Sequence, residues 1–140
     1  MIRPAAKSDV KEMTEIINTS LGYPCSEELV EEKLKSVDRD REEVFVSVVD
    51  GKVNGFIHVE KYDTLYFETL CNVLGLAVAN SAKRRGIGSA LIQAAESWAK
   101  NKGIYAMRLN SGGKRSEAHT FYKNLGYDDV KEQQRFMKNL

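Results

Sequence analysis

The sequence predicts a single α/β domain built on a mixed sheet, over residues 1–140. Three observations carry that prediction. Short β-rich runs alternate with segments whose apolar residues recur at helical spacing. One stretch, Val73-Leu74-Gly75-Leu76-Ala77-Val78, is apolar on both faces, as a central strand covered on both sides should be. A basic glycine turn, Lys83-Arg84-Arg85-Gly86-Ile87-Gly88, then joins that stretch to an amphipathic helix. The chain is long enough to bury a real core, and it shows no internal repeat, linker or low-complexity stretch.

Taken in order, residues 2–5 read as a short first strand. Ser8 can cap a helix running to about residue 20, with Val10, Met13, Ile16 and Ile17 as its stripe. Pro24-Cys25-Ser26 restarts a helix carrying Leu29, Val30, Leu34 and Val37, whose other face is charged and solvated. Residues 44–49 are β-rich, Asp50-Gly51 is a strong hairpin signal, and residues 53–62 return as the partner strand. After a polar break near Asp63-Thr64, residues 67–78 form the next strand. The helix over residues 88–101 buries Leu91, Ala94, Ala95, Trp98 and Ala99, and Gly103 stands just past its end. Residues 106–110 read as a strand and Ser111-Gly112-Gly113 as a turn. Ser116 can cap a helix with Ala118, Phe121, Tyr122 and Leu125 on one side, closed by Gly126. Residues 127–130 and 134–138 are expected to complete the sheet.

The totals narrow the function. With 21 basic and 20 acidic residues the charges nearly cancel, so no global field draws the chain to nucleic acid or to an anionic membrane. No apolar run is long enough to span a bilayer, and Met1-Ile2-Arg3-Pro4 lacks a signal-peptide hydrophobic region, so a cytoplasmic protein is expected. Cys25 and Cys71 lie far apart without Cys-x-x-Cys spacing and read as free thiols. With His58 and His119 they give no metal-ligand spacing, and no metal is expected. His58, on a strand, reads as a satisfied structural histidine, and His119 as a surface or supporting residue.

Strand, basic glycine turn and helix N-terminus together place bare backbone N–H groups around a phosphate. The turn ends in Gly-Ile-Gly-Ser rather than Gly-Lys-Ser/Thr, which excludes a Walker-type loop. Leu91 stands where a dinucleotide fingerprint needs its third small residue.

The turn from Lys83 to Gly88, followed by Ser116-Glu117-Ala118-His119-Thr120-Phe121-Tyr122-Lys123-Asn124-Leu125-Gly126-Tyr127, resembles the GCN5-related N-acetyltransferase family over essentially the whole chain. The first motif is similar to the family's Arg/Gln-x-x-Gly-x-Gly/Ala loop, with Lys83 in the leading place. That keeps the charge and loses a fork-shaped donor. The second is similar to the family's Ala-x-x-x-Tyr…Gly-Phe/Tyr segment, and Arg115 stands where many members have Asn. Residues 109–119 further resemble the aminoglycoside-acetyltransferase-like subgroup.

The resemblance implies a mostly antiparallel sheet with a splayed strand pair that holds acetyl-CoA. It implies backbone contacts from Leu76, Ala77 and Val78 to the pantetheine arm, and a phosphate loop of Lys83, Arg84, Arg85, Gly86, Ile87, Gly88 and Ser89. Asn110 could bond cofactor or substrate, or cap the Ser-Gly-Gly turn. Gly75 would suit a bulge or a close backbone approach, or be a small core residue. Tyr122 is the implied acid that protonates the departing thiolate. Glu68, or Glu60, could serve as base, and each could equally be a solvated strand-end charge. The acceptor is then a small-molecule or protein amine, and the fold admits a homodimer. The alternative is a non-catalytic acyl-CoA-binding module on the same fold.

Overall fold

The alternating apolar runs become five strands in the computed structural model, which describes residues 1–140. The chain forms two compact units, Met1–Leu109 and Asn110–Leu140. The first contains β1 (Ile2–Pro4), α1 (Val10–Ile16), α2 (Glu27–Lys35), β2 (Glu42–Val49), β3 (Lys52–Tyr62), β4 (Leu70–Val78), α3 (Ile87–Asn101) and β5 (Met107–Leu109). The second contains α4 (Ser116–Asn124).

The strands lie in the order β1-β2-β3-β4-β5. The first four run antiparallel, and β5 joins β4 in parallel after the crossover through α3. Asp50 and Gly51 both take positive φ, 52° and 75°, which is the geometry that a two-residue hairpin of this hand requires. Helices α1 and α2 cover one face of the sheet. There Ala5, Met13, Ile16, Val44, Val46, Phe56 and Ala77 form a buried cluster, with Val30 and Leu34 packed against it.

Helix α3 covers the opposite face, where Leu91 and Ile92 are fully buried. Burial of that completeness contributes about 1.5–3 kcal/mol per side chain. Gly55 makes the close approach possible. A Cβ there would stand 3.1 Å from the Ala77 carbonyl oxygen, 3.1 Å from Ile87 Cγ2 and 3.2 Å from Leu91 Cδ1. At its far end α3 stops in a Schellman motif, with Gly103 at φ 76° and the Ile104 N–H donating to Ala99 O at 2.9 Å.

Several boundaries differ from expectation for local physical reasons. Ser8 does not cap the first helix. The chain enters through a 3-10 turn, Lys7–Asp9, in which the Asp9 carboxylate accepts the Ala6 N–H at 2.8 Å. Two further bonds of 2.8 Å from Arg3 hold the same buried carboxylate. The helix leaves α1 through a π turn, Ile17–Leu21, ended by left-handed Gly22. Ser26 does cap α2, accepting the Leu29 N–H at 3.1 Å.

Strand β4 begins at Leu70, not at residue 67. Asp63 accepts a hydrogen bond from Thr69 and pairs with Arg41 at 2.9 Å, which closes residues 63–69 into a loop with Leu65, Tyr66 and Phe67 exposed at its tip. The expected strand over residues 106–110 is shorter, Met107–Leu109. In the second unit Arg115, not Ser116, occupies the N-cap of α4, and no side chain caps it. Residues 127–130 and 134–138 form no strand. Their large apolar side chains, Val130, Phe136 and Met137, are all exposed, so no buried face fixes a register there.

Two predictions follow from this packing. The Arg3 hydrogen bonds hold the Asp9 carboxyl below its ordinary range. Its contribution is therefore complete above the unfolded carboxyl's pKa and is lost as pH falls through the folded value. Asp9→Asn should lower the thermal midpoint at pH 7, and by much less near pH 3; equal losses at both would contradict the pairing. Gly55→Ala should cost about 1–3 kcal/mol in urea unfolding, because neither the Ala77 carbonyl nor the α3 N-terminus can retreat without loosening the sheet.

Candidate functional site

The first component is an incompletely paired strand. Strand β4 faces β3 along its length except at one bulge: Val59 stands opposite Val73 and His58 opposite Gly75, leaving Leu74 as the extra residue. Strand β5 stands opposite only Cys71, Asn72 and Val73 and ends at Leu109. Residues 74–78 thus have β3 on one side and no β5 partner on the other. Leu76, Ala77 and Val78 lie in this stretch and offer a row of backbone groups to an extended chain. Gly75 is next to the bulge rather than in it. A Cβ added there would meet only Phe56 Cε2, at 4.0 Å, so no close backbone approach requires glycine.

The second component follows directly. The Ala79 N–H donates to Asn54 O at 2.8 Å, and a 3-10 turn, Asn80–Ala82, brings the chain to the basic turn. Arg84 and Gly86 are both left-handed, with φ 67° and 77°. Glycine takes that conformation without cost, whereas arginine there is strained by about 1–2 kcal/mol. Lys83, Arg84, Arg85 and Gly86 are exposed, while Ile87 turns its side chain into the core. The first helical bond runs from the Ala90 N–H to Gly86 O at 3.0 Å. The N–H groups of Ile87, Gly88 and Ser89 therefore precede the helical ladder, and Gly86 brings no side chain to cap them. Three forward-pointing donors, a helix dipole and three cations suit an anion such as a pyrophosphate. The residues present fit a phosphate-bearing cofactor.

In the second unit, α4 ends in a Schellman motif of its own. Gly126 is left-handed at φ 92°, and the Tyr127 N–H donates to Tyr122 O at 3.0 Å. The Tyr122 ring lies 6.1 Å from Tyr127 and 5.2 Å from Phe121, centroid to centroid. The glycine and aromatic that follow Tyr122 in the sequence are thus the parts that fix its turn of helix. Burial pushes the Tyr122 phenol above its ordinary pKa, while the Arg115 charge acts in the opposite sense. His119 Nε2 lies 2.8 Å from Gly112 O and supports the turn after Asn110, which is itself exposed.

The candidate bases are dispersed. Glu68 is exposed in the 63–69 loop, outside the strand that was expected to begin there. Glu60 accepts from Asn72 Nδ2 at 2.8 Å, and Asn72 Oδ1 accepts from Arg108 Nη1 at 2.8 Å. The Arg108 guanidinium lies 4.2 Å from the Tyr62 ring centroid. Glu60, Asn72 and Arg108 are register partners across β3, β4 and β5, so this chain of bonds follows from strand pairing alone. His58 has a partner, as expected: its Nε2 lies 2.8 Å from Glu42 Oε1. Both cysteines are free, and burial pushes the Cys71 thiol up to about 12. Sequence reasoning missed Gly55, Asn72, Arg108 and Glu42. Only the isolated glycine in a β run carried a signal; the others acquire meaning once the register is known.

The family model described as "Acetyltransferase (GNAT) family" matches residues 10–127. Comparison with curated proteins finds no match. Among solved structures, the chain is similar to AAC(6')-Iy in complex with the bisubstrate analogue CoA-S-monomethyl-acetylneamine, at 20% identity and TM-score 0.85, covering 100% of this chain and 98% of that one. It is also similar to the aminoglycoside 6'-N-acetyltransferase AAC(6')-Ih from Acinetobacter baumannii, at 16% identity and TM-score 0.85, with coverage of 100% and 98%. A transcriptional regulator from Bacillus halodurans C-125 matches at 21% identity and TM-score 0.84, with coverage of 99% of each chain. At these identities the likeness establishes a shared fold. The family match reaches from α1 past the end of α4, and on it the chain belongs to the acetyltransferase (GNAT) family.

Proposed function

We propose that the protein is an acetyl-CoA-dependent N-acetyltransferase that passes an acetyl group directly to a primary amine. The observation that carries this reading is the unpartnered half of β4 running straight into the basic turn and the uncapped N-terminus of α3. Acetyl-CoA, when bound, supplies the acyl group as an activated thioester. Leu76, Ala77 and Val78 would pair with its amide-bearing arm as an added strand. The N–H groups of Ile87, Gly88 and Ser89 would hold the pyrophosphate, with Gly86 leaving room for its approach. Lys83, Arg84 and Arg85 add charge-assisted contacts to the phosphates, and Asn110 a polar contact.

Tyr122 is the proposed proton donor to the leaving thiolate. The phenol carries its proton at neutral pH, as a donor to the thiolate must, and burial only reinforces that state. Glu68, exposed at the loop tip, would draw in a cationic amine. A small-molecule amine, aminoglycoside-like compounds included, is the acceptor class favoured by similarity to aminoglycoside N-acetyltransferases, and a protein amine is its competitor. Both units are taken as one catalytic domain, a reading supported by a family match that spans them.

Thiol release from acetyl-CoA across an amine panel tests the reading directly. Tight acetyl-CoA binding with no release for any amine would instead identify a non-catalytic acyl-CoA-binding module. Tyr122→Phe should lower kcat by ~10²-fold or more while coenzyme A affinity stays nearly constant; turnover near wild type at saturating substrate removes Tyr122 from the mechanism. Gly86→Ala, forced into a left-handed conformation, loses on the order of 1 kcal/mol at the loop. Calorimetric titration should register that loss as about fivefold weaker coenzyme A binding, and unchanged affinity would place the phosphates elsewhere.

A further inference from the structure

We infer that His58, held by Glu42, is the group that takes the proton from the acceptor ammonium and so prepares the attacking amine. The inference rests on the acetyltransferase reading above and puts His58 in the role for which the sequence offered Glu68 or Glu60.

Position is the first argument. His58 stands opposite Val44 on β2 and opposite Gly75 on β4, and Glu42 lies two residues along β2 from Val44. Side chains at these positions project onto one sheet face. Gly75 belongs to the half of β4 that has no β5 partner, one residue past the bulge. Its missing side chain leaves the space beside the imidazole open on that strand, where a Cβ would find only Phe56 Cε2 at 4.0 Å. A carboxylate, an imidazole and an open gap therefore follow one another across β2, β3 and β4, ending at the edge proposed to hold the thioester.

The second argument is the ring itself. His58 Nε2 lies 2.8 Å from Glu42 Oε1. A carboxylate in that place stabilises the N–H on Nε2 and leaves the lone pair on Nδ1, the arrangement that makes a neutral imidazole a proton acceptor. No protein group bonds Nδ1. The His58 and Glu42 side chains are 30% and 28% exposed, which admits a substrate amine and lets the proton leave to water.

The surroundings supply no better base. Glu60 accepts from Asn72, and Arg108 is bonded to Asn72 as well. Asp63 is held below its ordinary range by Thr69 and Arg41. On β4, Gly75 contributes no charge. Helices α1 and α2 face this side of the sheet with Met13, Ile16, Val30 and Leu34, and Glu12 of α1 accepts the Val53 N–H at 2.9 Å. In the step proposed, one N–H bond of the ammonium breaks and its electron pair stays on nitrogen. The proton becomes the Nδ1–H of an imidazolium that Glu42 stabilises, and it then passes to solvent, so one proton is released per ammonium consumed.

Two measurements test this. In the ligand-free protein, nitrogen NMR of the imidazole should report the Nε2–H tautomer in wild type and a mixture in Glu42→Gln; an Nδ1–H tautomer in wild type would overturn the proposal. With an amine active in the panel, His58→Gln should lower kcat/KM by ~10²-fold at neutral pH. It should also flatten the acidic limb of the profile, with activity recovering as rising pH deprotonates the amine in bulk. Glu42→Gln should fall by a smaller factor with the same change of shape. Coenzyme A affinity, near wild type in both variants, separates loss of the base from loss of the fold, and His58→Asn replaces the Gln variant if that one fails to bind. A His58 variant that binds coenzyme A and keeps the wild-type pH profile refutes the assignment. Failure of wild type with every amine would refute the acetyltransferase reading itself, whatever tautomer His58 shows.

Discussion

The candidate donor site of this protein depends on one mismatch in strand pairing. Strand β3 accompanies β4 from Leu70 to Val78, while β5 accompanies it for three residues only. A sheet normally satisfies both edges of an interior strand, and an unpaired row of N–H and C=O groups carries a cost if it is buried dry. Here the bulge at Leu74 marks the change from two neighbours to one. Beyond it, the backbone of Leu76 to Val78 is available for a ligand that can hydrogen-bond like a strand. An amide-bearing chain satisfies that requirement; a compact ligand without amides does not.

The phosphate end depends on packing rather than pairing. The N-terminus of α3 can offer three backbone donors only if the helix is held where β4 delivers the chain. Gly55 lets Ile87 and Leu91 settle where a Cβ on the sheet would stand only 3.1 and 3.2 Å from them, and Leu91 and Ile92 anchor the first turns by complete burial. The strain at Arg84 is then borne by a turn whose two ends are already fixed, by the Ala79 N–H bond to Asn54 O of β3 and by Ile87 in the core. Replacing the glycines of this region acts on different quantities: Gly55 sets the separation between helix and sheet, and Gly86 the direction in which the donors point.

Much of this was legible in the sequence, and the reasons differ by element. Gly103 and Gly126 announced left-handed residues just past helix ends, and both adopt them; Gly86, read only as part of the phosphate turn, is left-handed as well. The Asp-Gly hairpin and the stripes of α1, α2 and α3 were visible because local patterning reports burial; the apolar strand is present as read, but it is not covered on both faces, since Leu74 at the bulge is exposed. The chain after Gly126 was misread. Val130, Phe136 and Met137 look like strand residues by propensity, yet propensity measures fit to a half-buried surface, and no such surface is present for them. Glu68 was misplaced by two residues for a related reason: the ion pair and hydrogen bond at Asp63 come from Arg41 and Thr69, and the Arg41 contact is not implied by spacing. The pairs Glu42–His58 and Glu60–Asn72 were invisible because a register must be known before a side chain has neighbours.

That last point bears on how a family fold acquires its acceptor. The donor side is built from backbone groups and glycines, which local sequence specifies. The sheet face beside it is built from side chains on three different strands, and their spacing in the chain carries no trace of their proximity. In His58 and Glu42 the two residues are separated by a hairpin and meet only because the bulge at Asn54, between the Ser47–Gly55 and Val48–Val53 pairs, sets the β2–β3 register. A shift of that register by one residue would turn His58 to the α3 face and leave Glu42 without it. On the role proposed for His58, the hairpin that looks like simple scaffold would determine which side chains an acceptor meets, whereas Asn54 serves both sides, since its carbonyl also anchors Ala79 at the head of the basic turn.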